Sequence, residues 1–272
     1  MQNFTEKVQL GRTGLKVGRL GLGSSFKAGT PAYEKAFEHG ANYFYWGSLR
    51  QEDMARAIRT IAKRQREELV VVVQSYARAG FLVRMSVERA LRQLGLDYAD
   101  VLLLGWHNSE PWQTVLGGAR KLVDQGRVKH LALSSHQRTL FPKLLDSDVE
   151  IFHVRYNAVH RGAEREVFPA LDGRAPQERP GIVTYTSTRW GHLCDPKRTP
   201  AGERTPTGTD CYRFAMSDPH VNVAVAGPAN PEQMDQALRA LELGPMNAEE
   251  LAWMRRVGDG IYGRDKTSGV RD

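Results

Sequence analysis

The chain has 272 residues, 41% of them hydrophobic and 25% charged, and a formal charge of +7. This composition is typical of a globular protein, and no stretch reaches the ~20 apolar residues that span a membrane. The basic residues are scattered among acidic ones and form no block interleaved with aromatics, which argues against nucleic-acid binding. The first residues, MQNFTEKVQL, lack the apolar core of a signal peptide, so we expect a cytoplasmic protein.

The predicted elements begin with a β-hairpin, in which VQL and LKV flank the turn GRTG. Eight strand-like segments then alternate with helix-like segments. The predicted strands begin with LGLG near Leu20 and continue at 41–46, 69–76, 101–106, 130–135, 151–156, 181–187 and 221–227. The predicted helices after them cover 31–39, 51–63, 86–94, 112–125, 140–145, 164–171, 210–216 and 231–241, and one further helix covers 248–256.

This alternation of strands and helices requires parallel strands joined by right-handed crossovers. Eight such units in 272 residues close most economically into a barrel, which typically needs roughly 250 residues. An open doubly wound sheet is the alternative, but no GxGxxG motif opens a helix here. We therefore predict an α/β fold over 1–272: a single (β/α)₈ TIM barrel with an N-terminal β-hairpin and an extra C-terminal helix.

Five collinear segments resemble the aldo-keto reductases. LGRTGLKVGRLGLGSS is similar to that family's opening hairpin and first strand, and RMSVERALRQLGLDYADVLLL to its third helix and fourth strand. GRVKHLALSS resembles the stretch that the family usually writes as GKVRxIGVSN. GIVTYTSTRWGHL and VAVAGPANPEQMDQAL resemble its seventh and eighth strands with the segments that follow them. The resemblance implies the same barrel and hydride transfer between NADPH and a carbonyl group.

The resemblance also implies a catalytic tetrad, which this sequence lacks. The family uses a tyrosine acid, a lysine and an aspartate that tune it, and a histidine that orients the substrate. Tyr45 aligns with the aspartate, and Arg50 lies near the position of the tyrosine. Gln74 aligns with the lysine and Gly105 with the histidine. Without the lysine nothing obvious lowers the pKa of a phenol, so the standard mechanism is not expected.

A substituted acid/base pocket is predicted at the barrel mouth, because residues two apart on a strand share a face. Tyr45, Tyr76 and His107 are the candidate catalytic residues, with His107 or His153 as proton carrier and the tyrosines as donors. Arg155, on the same face as His153, would anchor an anion. The alternative is that these groups satisfy one another in a mouth that has lost its activity.

Part of the family's grip on a nicotinamide cofactor is also recognisable. Tyr185 matches the tyrosine that stacks on the nicotinamide, His153 stands where the family has a glutamine, and Gly191 keeps the shape of a pyrophosphate loop. The other candidate cofactor-binding residues are Ser134, Ser135, Arg189 and Gln233. No basic residue occupies 228–236, so the 2′-phosphate of NADP has no evident partner. NADP, NAD, another nucleotide and no nucleotide all remain open.

Three functions are compatible with these residues. The leading hypothesis is a nicotinamide-linked oxidoreductase acting on a small carbonyl or alcohol metabolite with a non-standard catalytic set. The second is a lyase, dehydratase or hydrolase that uses the same histidines and tyrosines, and the third is a non-catalytic protein that binds a nucleotide or a partner. Cys194 and Cys211 do not make a metal site by themselves, and we expect them reduced, although a disulfide is the alternative. The substrate and the oligomeric state stay open.

Overall fold

Eight parallel strands close into a barrel behind a short hairpin, in a computed structural model that describes residues 3–47 and 49–265. The hairpin pairs β1 (Val8–Gln9) antiparallel with β2 (Lys16–Val17). The barrel strands are β3 (Leu20–Gly23), β4 (Tyr43–Trp46), β5 (Val70–Ser75), β6 (Ala99–Leu104), β7 (Val128–Ser135), β8 (Ile151–Arg155), β9 (Gly181–Tyr185) and β10 (Val223–Ala226). Parallel pairing of β10 with β3 closes the barrel.

Helices cover the outside of the barrel. The α-helices are α1 (Thr30–Glu38), α2 (Glu52–Gln65), α3 (Gly80–Leu94), α4 (Gln113–Asp124), α5 (Ala163–Glu166), α6 (Gly208–Met216), α7 (Pro231–Leu243) and α8 (Ala248–Asp265). The connection between β7 and β8 is a 3-10 helix, Arg138–Leu144, and Pro142 inside it has no N–H to continue an α-helix. The predicted barrel, hairpin and C-terminal helix are confirmed; that the whole chain forms one domain stays a prediction.

Two apolar layers hold the barrel together. Inside it, valine and leucine side chains such as Val72, Val101 and Leu103 pack on Tyr43. Outside it, the apolar stripes of the helices pack against the strands. In α2 this stripe includes Met54, Ile58 and Ile61, which recur at the spacing of one helix face. Strands such as β5 are buried on both faces as a result, which explains their unbroken apolar sequence.

Helices α3 and α8 extend by six and nine residues beyond their predicted bounds, and a glycine permits a close contact in each. A Cβ at Gly80, the first residue of α3, would overlap the carbonyl oxygen of Thr114. A Cβ at Gly258 in α8 would overlap the carbonyl oxygen of Ala158. Both glycines therefore let a helix approach neighbouring backbone. No helix in 3–47 and 49–265 is both long and apolar enough to cross a membrane.

Candidate active site

A cavity of about 700 Å³ opens at the carboxyl ends of the barrel strands. This volume is ordinary for a small-molecule site, which is roughly 300–1,000 Å³, and the position is where such barrels carry their chemistry. The predicted site residues that line it are Tyr45, Tyr76, Ser134, His153, Tyr185, Gly191 and Gln233. The predicted site residues that do not line it are His107, Ser135 and Arg189.

Tyr45 and Gln74 meet at the base of the cavity, from the neighbouring strands β4 and β5. The Tyr45 hydroxyl donates a hydrogen bond to Oε1 of Gln74 at 2.5 Å. An amide oxygen in this place stabilises the neutral phenol, because it accepts the proton's hydrogen bond without supplying positive charge. Within the described residues no lysine lines the cavity. Among the described residues, the phenol therefore has the Gln74 amide in place of a lysine ammonium, and the Arg50 guanidinium interacts with it electrostatically.

The position after β6 has no side chain, and its neighbours fill the space. A Cβ at Gly105 would overlap Nε2 of Gln74 and would lie 2.7 Å from Cε1 of Tyr76. Tyr76 is half exposed at the cavity mouth. The slot in which the resemblance implies a histidine is thus occupied by the Gln74 amide and the Tyr76 ring.

His153 lies deep in the cavity between two tyrosines. Its Nε2 is 2.8 Å from the hydroxyl of Tyr43, and its ring centroid is 5.8 Å from that of Tyr45, edge to face. The side chain is 2% exposed. Burial lowers the pKa of His153 to about 3. The imidazole is therefore neutral near pH 7, and it is better suited to orient a neighbouring hydroxyl than to carry a proton as predicted.

Acidification is expected to destabilise the protein through His153. Its folded pKa lies below the unfolded value of 6.5, so the unfolded chain takes up the proton first as the pH falls. The folding stability that depends on a neutral His153 is fully present above pH 6.5, and on the order of 2 kcal/mol of it is lost by pH 5. Urea unfolding at pH 7 and pH 5 measures the loss of unfolding free energy. His153→Gln, which keeps a polar group beside Tyr43, should make the difference between the two pH values smaller by about 2 kcal/mol. An unchanged difference would exclude His153 as its source.

Strand alternation stops after Gly105, so that Trp106 rather than His107 faces the mouth. Trp106 has a φ of +53°, lines the cavity, and donates its backbone N–H to Oγ of Ser134 at 2.9 Å. His107 is buried outside the cavity, with its Nε2 3.1 Å from Nη1 of Arg78. Burial, and then the charge of Arg78, lowers the pKa of His107 to about 4. The prediction that His107 points into the mouth is wrong, and its catalytic role stays a prediction without geometric support.

Three other polar residues that the sequence assigns to the mouth lie beside the cavity rather than on its wall. The Ser135 hydroxyl accepts from the backbone N–H of Gln137 at 2.8 Å and donates to its carbonyl at 3.2 Å, which fixes the turn after β7. Arg189 is buried in the loop after β9. Arg155 is also buried, and its charge adds to burial in lowering the pKa of His136. Cofactor contacts by Ser135 and Arg189 stay predictions.

Left-handed backbone is concentrated around the cavity. In the described residues the non-glycine positions with positive φ are Trp106, Thr186, Arg189 and Trp190. All but Arg189 line the cavity. Each such residue costs roughly 1–3 kcal/mol, and strain of this kind is concentrated at functional sites. Gly191 follows with a φ of +85° and nothing within 4 Å of its Cβ position, so its backbone is open to a ligand.

The loop after β9 fits a nicotinamide dinucleotide. Ser187 lines the cavity, and its buried hydroxyl has no hydrogen-bond partner among the described residues. A buried polar group without a partner costs roughly 1–3 kcal/mol, which a polar ligand atom would offset. Tyr185 lies beside it at the end of β9, and burial raises the pKa of its phenol to about 12, so it offers a neutral aromatic face. The loop thus presents a ring, a free hydroxyl and open backbone.

Several lining residues carry no distinctive signal in the sequence. Trp106 and Trp190, each more than half exposed, border the mouth, and Ser187 lies in the loop after β9. An aromatic residue at the end of a predicted strand is the one hint that points to Trp106. The thiols of Cys194 and Cys211 are free, with their sulfurs 3.9 Å apart, and Cys194 lines the cavity. No cluster of metal-ligating side chains occurs in 3–47 and 49–265.

Comparison with known proteins agrees with this geometry. The Aldo/keto reductase family model matches residues 17–174. L-galactose dehydrogenase of Arabidopsis thaliana is 25% identical over 315 residues, which cover 96% of this chain and 97% of that protein. NADH-specific methylglyoxal reductase of Escherichia coli K12 is 22% identical over 231 residues, which cover 68% of this chain and 71% of that protein. A holo aldo-keto reductase structure from Bacillus halodurans shares the fold, with a TM-score of 0.77, 18% identity, and coverage of 93% of this chain and 96% of that one.

Proposed function

Since the chain belongs to the aldo/keto reductase family, we propose that it is a nicotinamide-dependent oxidoreductase of a small carbonyl or alcohol metabolite with a substituted proton donor. The observation that carries this proposal is the cavity that the loop after β9 lines together with Tyr45 and His153. The names of the two sequence relatives, a sugar dehydrogenase and a methylglyoxal reductase, support a small carbonyl or alcohol as substrate.

The cofactor would be held by the end of β9, the loop that follows it and the start of α7. Tyr185 would stack on the nicotinamide, the Ser187 hydroxyl would bind a polar atom, and the backbone around Gly191 would face the pyrophosphate. Gln233, at the start of α7, would lie against the adenosine half. A bound nicotinamide supplies a hydride to a carbonyl carbon.

NADH is the proposed cofactor rather than NADPH. A 2′-phosphate is usually bound by arginine or lysine, and 228–236 contains neither. Glu232 instead places an acidic side chain in the first turn of α7. The Gln233 amide oxygen accepts a hydrogen bond from the backbone N–H of Ala229 at 2.8 Å, so this oxygen stabilises the loop before α7. The NADH specificity in the name of the Escherichia coli relative supports the same choice.

Tyr45 is the proposed proton donor to the carbonyl oxygen. Its hydroxyl is oriented by Gln74 in front and by the ring of His153 at the side. Once the phenol gives up its proton, rotation of the Gln74 amide would turn its NH₂ group toward the phenolate. A neutral amide stabilises a phenolate less than an ammonium does, so slow turnover is expected.

The amide of Gln74, where the resemblance implies a lysine beside Tyr45, favours a second candidate function, a protein that binds a nicotinamide nucleotide without turnover. Nucleotide binding would need only the loop after β9, whereas turnover by an ordinary reductase would also need a phenol that gives up its proton readily. An acid/base enzyme built on His107 is not favoured, since that imidazole does not reach the cavity.

Nicotinamide fluorescence tests the cofactor first. NADH is expected to bind at least about tenfold tighter than NADPH, because the phosphate would meet Glu232 rather than a cation. Glu232→Lys should narrow or reverse that preference. Glu242→Lys makes the same charge change at an exposed position of α7 away from the cavity, and it should leave the preference unchanged.

Two outcomes separate the candidates. If neither nucleotide changes its fluorescence, the oxidoreductase and the nucleotide-binding candidate both fail. If NADH binds but no aldehyde, ketone or sugar causes its oxidation, the non-catalytic candidate is the better one.

A further inference from the structure

A second cavity, of about 490 Å³, lies beside the mouth, and apart from Gln74 at its edge its residues have no role in the mechanism proposed above. It is bounded by the loop after β4, the end of β5 and one face of α3. Its polar residues include Arg50, Ser86, Arg89 and Gln74. Gln74 and Tyr76 line both cavities, so they form the boundary between them.

Arg50 is held in this cavity by contacts that use one side of its guanidinium. Nη2 donates to the backbone carbonyl of Gln74 at 2.9 Å and approaches Oγ of Ser86 at 3.4 Å. The guanidinium also lies over the ring of Trp46, 5.2 Å from its centroid. Nε and Nη1 have no hydrogen-bond partner among the described residues. A half-buried, positioned guanidinium with unused donors can bind an acceptor with little loss of entropy.

Arg89 contributes a second guanidinium from α3. It is exposed and makes no ion pair with a residue of 3–47 or 49–265. Burial, and then repulsion by Arg89, lowers the pKa of Arg50, and attraction to the Tyr45 phenol only partly opposes them. Two like charges that face one cavity without an acid between them are unfavourable. An anion bound between the two guanidinium groups would be attracted to both, and these two attractions would offset their mutual repulsion.

We propose that this second cavity binds an oxyanion, a phosphate or carboxylate group, between Arg50 and Arg89, with the Ser86 hydroxyl as a further donor. Guanidinium groups match the paired oxygens of such anions, and hydrogen bonds to charged groups are the stronger ones. The anion has two sources. It is either a free anion or, if the proposed function holds, the charged end of a carbonyl substrate whose reactive end lies beyond Gln74.

Calorimetric titration with inorganic phosphate, at constant ionic strength set by sodium chloride, tests the site on the whole protein. Saturable binding is expected, and Arg89→Gln should weaken it about tenfold or more. Arg84→Gln removes the same charge from an exposed position of α3 outside the cavity, and it should change the affinity less than about twofold. Equal weakening by both variants, or no saturable binding to the unaltered protein, would overturn the proposal.

A second pair of probes distinguishes the two sources. If the site holds the substrate's own charge, phosphate should compete with glycolaldehyde phosphate for turnover. Arg89→Gln should then raise the KM for that probe about tenfold and leave the KM for glycolaldehyde unchanged. If the anion is free, phosphate should bind without competing with either probe. If no carbonyl is turned over, the proposed function fails, while the phosphate titration still decides whether the site exists.

Discussion

Tyr45→Phe is expected to lower carbonyl reduction by about 10²-fold or more and to leave NADH affinity within about twofold. The substitution removes the proposed proton donor, whereas the ring that packs on His153 stays. Steady-state kcat and nicotinamide fluorescence measure the two effects separately. Tyr76→Phe is the matched control, because it keeps the ring beside Gly105 and removes the hydroxyl of the second tyrosine that the sequence proposes as catalytic. Its kcat is expected to fall less than about threefold.

A substitution at Gln74 should test the same proton donor by raising the rate of carbonyl reduction instead of lowering it. Gln74→Lys would place an ammonium where the amide now accepts from the Tyr45 hydroxyl, and a nearby cation lowers the pKa of a phenol. Reduction should rise about tenfold near pH 7. Gln74→Met, which fills the space without polar atoms, should lower it. Unchanged turnover in Tyr45→Phe would remove Tyr45 as the donor and favour binding without turnover.

Gly258→Ala is expected to lower the free energy of unfolding by about 2–3 kcal/mol. The added methyl group would overlap the carbonyl oxygen of Ala158, which is backbone and cannot move as a flexible side chain can. Either α8 shifts outward or the loop after β8 moves, and both loosen packing on the mouth side of the barrel. Urea unfolding with a two-state fit measures the change.

Gly263 provides the control in the same helix. Nothing lies within 4 Å of its Cβ position. Alanine has the higher helix propensity, so Gly263→Ala should stabilise the protein by about 0.5–1 kcal/mol. Opposite signs for the two substitutions would show that the contact with Ala158, and not helix propensity, determines the effect at Gly258. Equal effects would contradict this.

The barrel was predictable because the same local pattern recurs in every unit. An apolar run such as 70–75 is buried on both faces, and a helix with one apolar stripe follows it. Helix ends were less predictable. The structure begins α3 at Gly80 rather than at 86, and its first turns expose Phe81 and Met85 to solvent. Apolar residues that are not buried give no amphipathic period, so the sequence held no signal for that start.

The site was predictable as far as regular strand geometry continues. Tyr45, Gln74 and Tyr76 line the cavity as the alternation along β4 and β5 requires. The alternation fails after β6, where the backbone at Trp106 is left-handed. As a result Trp106 points toward the cavity, and His107 is buried away from it. A positive φ at tryptophan is a property of the folded loop, since nothing in the local sequence favours it.

The filled slot at Gly105 restricts the order in which this chain can change. The Gln74 amide and the Tyr76 ring occupy the volume that a histidine at 105 would need. A histidine introduced there first would meet both of them, whereas smaller groups at 74 and 76 would make room beforehand. The effect of a histidine at 105 therefore depends on the residues at 74 and 76, and a library that varies the three positions together can reach combinations that a substitution at 105 alone cannot.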